Sequence, residues 1–407
     1  MRLTIINQFY KPDLAPTGHM AASLAEHRAK QGDYVTVITS SGGYVSESTT
    51  TSGSKSTNPR VYRLWTPRLG KGTAFARIVD YVSFYILAFI RSVTLPKQDL
   101  IISLTTPPFI AWAAIGHKLL HRSTKVVLWN MDCYPEIAER AGVIDKGGFL
   151  SRLFRRLNRG LFRRLDQLVC LDGAMLDLLV SQYVSTEHAL STCIIPNWEK
   201  ASQFPHDLSP DPWGGAAASI SDDAFVILYL GNAGFGHRFE TIIEAAKLLK
   251  DEPVAFLFIG GGEKWVWIEQ AKIANDLRNI HLFRYIHKDL TPSALAMADC
   301  TLITMNESAL GVISPSKLHA YLAMSLPTLY IGPVGSNVDD AIKRYDAGVT
   351  LQHGDVDGVV RFINELRADS EHLQALRSNA RRAFDDAFCD TQTLPIFDRI
   401  LDQLLSE

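Results

Sequence analysis

The sequence predicts an α/β protein made of two doubly wound, Rossmann-like domains that face each other across a cleft. Three observations carry this expectation. Short apolar runs alternate with stretches of helical spacing, the pattern of parallel sheets covered on both faces. The alternation restarts at Phe225, after a connection with four prolines. The length of 407 residues is more than one ordinary core holds and suits two domains.

The first series opens with a βαβ unit. LTIINQF (3–9) is a strand, KPDLAPTG (11–18) a turn-rich loop, HMAASLAEHRAKQG (19–32) a helix ending at Gly32, and YVTVITS (34–40) a second strand. Residues 41–59, rich in Ser, Thr and Gly, read as a mobile loop. Buried parallel strands follow at 99–105, 125–129 and 167–171. In the second series FVILYLG (225–231), VAFLFIG (254–260), CTLITM (300–305), PTLYIG (327–332) and GVTLQ (348–352) are strands, with helices between them. The connection places the boundary near 197–222. The expected division is 1–200, 201–390, and a C-terminal helix at 391–407 packing near the domain junction.

Composition narrows the class. Hydrophobic residues make up 47% and charged residues 21%, and the formal net charge is −2, so nothing global attracts nucleic acid. Five scattered cysteines without a C-x-x-C pair suggest reduced thiols, not a disulfide framework or zinc site. The start, MRLTIINQFY, reads as a strand and not a signal peptide, and Tyr81–Ile90 is too short to span a bilayer. A cytoplasmic location is expected. Phe149–Leu168 interleaves six arginines with Leu and Phe at helical spacing, either a solvated basic face or a surface for anionic lipid. The apolar run at 81–90 favours lipid.

Ligands of doubly wound sheets bind beyond the carboxyl ends of the strands, so the loops there are the candidates. Thr17 and Gly18 stand directly before a helix, where free N–H groups favour an anion, or else simply form a turn and cap. GNAGFGHR (231–238) offers three glycines for close backbone approach, with His237 and Arg238 as positive charge; an exposed turn explains it equally. It lacks the G-x-G-x-x-G pattern and so argues against a dinucleotide. GGGEK (260–264) is either a pocket wall or an ordinary loop. SPSK (314–317) starts a helix and presents Ser316 and Lys317, which suit a diphosphate. Asp132 and Glu136 follow a buried strand, where a carboxylate orients or deprotonates a hydroxyl, unless Asp132 caps the next helix. Zinc-ligand spacing and hydrolase motifs are absent from the sequence.

Taken in order, NQFYKPDLAPTG, TTPPFI, VLWNMDCYPEIAERAGV, IIPNW, LYLGNAGFGHRFETIIEAA and ISPSKLHAYLAMSLPTLYIGP resemble the retaining glycosyltransferases of family 4, with the GT-B fold. The likeness is to bacterial members that extend lipid-linked or surface polysaccharide glycans. It implies that Thr17, Gly18, Asn232, His237, Arg238, Gly261, Gly262, Lys264, Ser316 and Lys317 line the donor, and that Asp132 lies near the reacting sugar. Two departures stand out: Val312 and Ala320 occupy positions where many members carry glutamates, and Asn232 replaces an arginine. The implied activity is metal-independent transfer, with retention, from a UDP- or GDP-sugar to a saccharide on a polyprenyl diphosphate, with no cofactor. A nucleotide-sugar epimerase and a non-catalytic scaffold of a membrane glycan-assembly complex are the alternatives.

Overall fold

The computed structural model describes residues 1–13, 15–41, 58–67, 74–185 and 189–406. The loop read at 41–59 lies almost wholly outside them. The chain divides into two compact units, Met1–Pro196 with Leu394–Glu407, and Asn197–Thr393.

The first unit contains strands β1 (Arg2–Ile6), β2 (Tyr34–Ser40), β3 (Arg60–Leu64), β4 (Leu100–Ser103), β5 (Lys125–Trp129), β6 (Gln167–Cys170) and β7 (Ser191–Ile194). They pair in parallel in the order β3-β2-β1-β4-β5-β6-β7. Its helices are α1 (Pro16–Lys30), α2 (Ala74–Val93), α3 (Ala111–Leu120), α4 (Glu136–Arg140), α5 (Phe149–Phe162) and α6 (Gly173–Tyr183). The second unit is built on β8 (Phe225–Asn232), β9 (Val254–Gly261), β10 (Ile280–Arg284), β11 (Cys300–Thr304), β12 (Thr328–Ile331) and β13 (Gly348–Leu351), again parallel, in the order β10-β9-β8-β11-β12-β13. Its helices are α7 (Gly214–Ala217), α8 (Glu240–Leu248), α9 (Trp265–Ala274), α10 (Thr291–Leu295), α11 (Lys317–Ala323), α12 (Asn337–Tyr345), α13 (Val356–Ala368) and α14 (Ser370–Ala383). Both are Rossmann-like sheets, with the strand order reversing between β1 and β4 and between β8 and β11.

The apolar runs follow from burial on both faces. Val226 and Leu228 join one side of the second core, while Phe225, Ile227 and Tyr229 join the other. Each such side chain contributes about 1.5–3 kcal/mol on burial. Three strands, β3, β7 and β10, have no such run and are not apparent in the sequence. All three sit at sheet edges, are partly open to solvent and mix polar with apolar residues.

Helix α1 starts at Pro16, earlier than its apolar spacing suggests, so Thr17 and Gly18 lie inside its first turn. A final helix, α15 (Asp390–Ser406), returns the chain to the first unit from Leu394 onward. There the Phe397 ring meets Trp129 edge-on, with centroids 4.7 Å apart. Asp398 accepts hydrogen bonds from Arg28, His27 and Gln31, each at 2.8 Å. Burial raises the Asp398 pKa, and these donors more than offset it, leaving the carboxylate below its ordinary value. Arg28 is itself buried and also donates to Asp33 at 2.7 Å. Arg28→Leu takes the guanidinium from Asp33 and Asp398, which keep the N-terminal amine and the His27 and Gln31 side chains respectively, and is expected to destabilise the first unit by about 2 kcal/mol. A lowered urea midpoint for that unit, with the second unit's transition unmoved, is the measured sign.

Candidate active site

In the second unit the carboxyl ends of β8, β9 and β11 are tied into one surface. Ala233 N donates to Gly261 O at 2.7 Å and Lys264 N to Ala233 O at 2.9 Å, which joins the loops after β8 and β9. Asn306 N donates to Gly236 O at 2.8 Å, which joins the β8 loop to the chain after β11. Gly231 and Gly260 abut so closely that a Cβ on Gly260 would lie 2.0 Å from the Gly231 oxygen, and both have positive φ.

Lys317, the first residue of α11, reaches over this surface. Its Nζ lies 3.8 Å from the centroid of the Tyr229 ring and 3.8 Å from where a Cβ on Gly231 would be. The Nζ is buried and has no hydrogen-bond partner among the described residues. Burial pushes its pKa down to about 7. Tyr321 holds the helix in place: its hydroxyl accepts from Leu230 N at 3.0 Å and contacts Leu230 O at 3.3 Å. A buried ammonium without a counter-charge is costly, and the neighbouring ring only partly offsets that cost. An anion supplies what the site is missing. Ser316 stands at the N-cap position of the same helix, makes no side-chain capping bond and is exposed.

The other predicted residues divide. His237 does not provide the positive charge expected of it. Burial, and then the adjacent Lys317, push its pKa down to about 3, so it is a neutral imidazole donating Nδ1–H to Thr304 O at 2.6 Å. Arg238 is exposed, with Glu240 and Glu307 carboxylates at 3.5 and 3.9 Å. Asn232 accepts a hydrogen bond from Tyr285. Gly261 is buried beneath that tyrosine, while Gly262 is exposed with positive φ.

In the first unit Gly18 has its N–H engaged by Ala15 O at 2.9 Å, so it is not the free donor expected before a helix. A Cβ there would come within 3.2 Å of the Phe9–Tyr10 backbone, so glycine lets α1 pack against that loop. Asp132 sits beyond β5, where Thr105 Oγ1 accepts from both Met131 N and Asp132 N at 3.1 Å. It lines a pocket with Thr105, Phe109, Tyr134 and Asn158, and burial raises its pKa to about 6. It caps no helix, since α4 has Pro135 at its N-cap without a side-chain bond. Glu136 is a correction. Its carboxylate is buried, accepts from Tyr183 and pairs with Arg155 at 3.2 Å. Those partners turn it into the unit, it does not line the pocket with Asp132, and its Oε2 is buried without a hydrogen-bond partner among the described residues.

A glycosyl transferase 4-like domain model matches residues 17–198, and the model of the glycosyl transferases group 1 matches residues 216–383. The chain belongs to the family 4 glycosyltransferases. A protein named as a colanic acid biosynthesis glycosyl transferase, WcaI of Escherichia coli K12, is 25% identical over 95% of this chain and 97% of its own. Sucrose-phosphate synthase from Thermosynechococcus elongatus shares the fold at a TM-score of 0.72 and 13% identity, covering all of both chains. HepE of Anabaena, solved in complex with UDP, matches at 0.67 and 13% identity over 99% of this chain and 100% of its own. The two Rossmann-like sheets are thus those of the GT-B fold.

Sequence reasoning missed Tyr229, Tyr285 and Tyr321. Tyrosines in apolar runs look like core, and only the fold brings these three around Lys317 and Asn232. The positions without glutamates, Val312 and Ala320, are buried and half-buried. Lys317 carries a stability penalty that is absent above its ordinary pKa of 10.5, grows as pH falls, and is full below about 7. Lys317→Met is therefore expected to raise the melting temperature at pH 7 and to lose that advantage towards pH 10.5. Calorimetry showing a lower melting temperature at every pH would make the lysine structural instead.

Proposed function

We propose that the chain transfers a sugar from a UDP- or GDP-sugar to a hydroxyl of a polyprenyl-diphosphate-linked saccharide, with retention and without a metal ion, in building a cell-surface polysaccharide. The observation that carries this is the buried, uncompensated Lys317 over Gly231 and Tyr229. Two features support a nucleotide-sugar donor: family membership, and a solved relative of the fold that holds UDP. The name of the E. coli relative supports the polysaccharide role.

In this reading Lys317 meets the donor diphosphate, with Ser316, Arg238, Lys264, Gly261 and Gly262 around it, and Thr17 and Gly18 approach the transferred sugar. The bond from the anomeric carbon to the phosphate oxygen breaks, and its electron pair leaves with the nucleoside diphosphate, where Lys317 offsets the growing charge. The acceptor oxygen bonds to the same face of that carbon. Asp132, with its pKa raised to about 6, takes the acceptor proton as a carboxylate at neutral pH.

Purified protein given UDP- and GDP-sugars and a polyprenyl-diphosphate saccharide is expected to turn over in EDTA and to give a product with the donor's anomeric configuration by NMR. Loss of all turnover on chelation would sink the metal-free mechanism. Asp132→Asn should lower kcat by about a hundredfold, and wild-type activity should fall as pH drops through 6. Glu136→Gln should instead lower the melting temperature.

The same reading places the protein on the cytoplasmic face of a membrane. In the first unit helix α3 packs against both α2 and α5. The three helices expose Ile86, Phe89, Ile90, Leu119, Phe149 and Leu150. Beside them Arg152, Arg156, Arg159, Arg163 and Arg164 are exposed, whereas Arg155 turns inward to Glu139. Exposed apolar side chains and guanidinium groups on neighbouring helices suit an anionic bilayer. No helix among the described residues is long and apolar enough to cross one. Replacing Arg152, Arg156 and Arg159 by Gln is expected to weaken sedimentation with phosphatidylglycerol vesicles by about a hundredfold at low salt. Equal binding by the variant would remove this face from the proposal.

A further inference from the structure

Tyr285 follows β10 directly, at the carboxyl edge of the second sheet. It is 62% exposed, yet it is held in place. Its hydroxyl donates to Asn232 Oδ1 at 3.1 Å, and its ring lies against Gly261, where a Cβ would come within 2.8 Å of Cε2. Burial raises the pKa of this hydroxyl, so it stays a donor at neutral pH.

Asn232 is confined in turn. A Cβ on Gly262 would lie 2.5 Å from its Oδ1, and one on Gly234 would lie 3.0 Å from its Nδ2. The glycines at 234, 261 and 262 therefore make room for this amide and ring. A single exposed tyrosine needs no explanation. One fixed by its hydroxyl, with much of its ring open to solvent, is a ready surface for another flat ring, because the entropy of orienting it is already lost.

Position adds the second half. Tyr285 is carried by β10, two strands from β8 and the Gly231–Lys317 pair. Two strand spacings separate the backbones by about 10 Å, and the tyrosine side chain reaches back over Gly261 to Asn232, so its ring lies within a nucleotide's length of that pair. The surface between is the knitted glycine floor of the β8 and β9 loops.

We propose that Tyr285 is the platform on which the donor's nucleobase stacks, and that Asn232 is the positioning residue that fixes its ring. The inference rests on the nucleotide-sugar reading above. It gives Asn232 a task other than contacting phosphate, which fits its uncharged side chain. Stacking tolerates either base, so the tyrosine supplies affinity for UDP and GDP alike.

Titration calorimetry with UDP, GDP and inorganic diphosphate separates the possibilities. Tyr285→Ala is expected to weaken UDP and GDP by about tenfold or more, while inorganic diphosphate binds as it does to the wild type. Tyr285→Phe should keep most of the affinity. Asn232→Ala should show a smaller loss confined to the two nucleotides. If Tyr285→Ala binds both nucleotides as the wild type does, or loses inorganic diphosphate in equal measure, the platform is overturned. If the wild-type protein binds neither UDP nor GDP, the donor reading itself falls.

Discussion

Parallel strand pairing is the constraint on which the rest depends. A parallel strand has to be returned to its starting edge by a crossover, so the strands of each sheet all end at one edge of that sheet, and most of the described ones hand over to a helix there. In the second unit this brings residues as far apart in sequence as Gly231, Gly261, Tyr285 and Lys317 to one rim. Strand order then decides which of them meet. Because β8 neighbours both β9 and β11, the loops after all three can be joined by backbone hydrogen bonds, and the helix after β11 can lean its lysine over β8.

On that rim the chemistry conflicts with stability. Lys317 is kept under burial with only an aromatic ring beside it, and His237 is held neutral by the same surroundings. Charge is concentrated in one residue and not shared with the histidine. The first unit handles its own burial differently: Arg155 pairs with both Glu136 and Glu139 inside the fold, and Asp132 is the carboxylate that lines the pocket beside Thr105.

How far the sequence could be read follows the same physics. Strands buried on both faces, such as Phe225–Asn232, are continuous apolar runs and were plain. The edge strands Arg60–Leu64, Ser191–Ile194 and Ile280–Arg284 were not, since solvent on one side breaks the run. Ser316 and Lys317 were legible because Pro315 marks a helix start. The surroundings of Lys317 were not, because Tyr229 lies in a core strand and Tyr321 in a helix with no local sign that they converge. Asp132 and Glu136 looked alike at four residues apart. Only the placement of α5 and α6, which bring Arg155 and Tyr183 to Glu136, separates them.

The return of the chain at Leu394 has a consequence for synthesis. The first unit is discontinuous, with its last helix, which carries Phe397 and Asp398, encoded after the whole of the second unit. A ribosome therefore delivers every residue of the second Rossmann-like sheet before it delivers the partner of Trp129 and Arg28. The domain begun first is completed last, and until then the Arg28 guanidinium on its α1 face has Asp33 but not Asp398 to pair with.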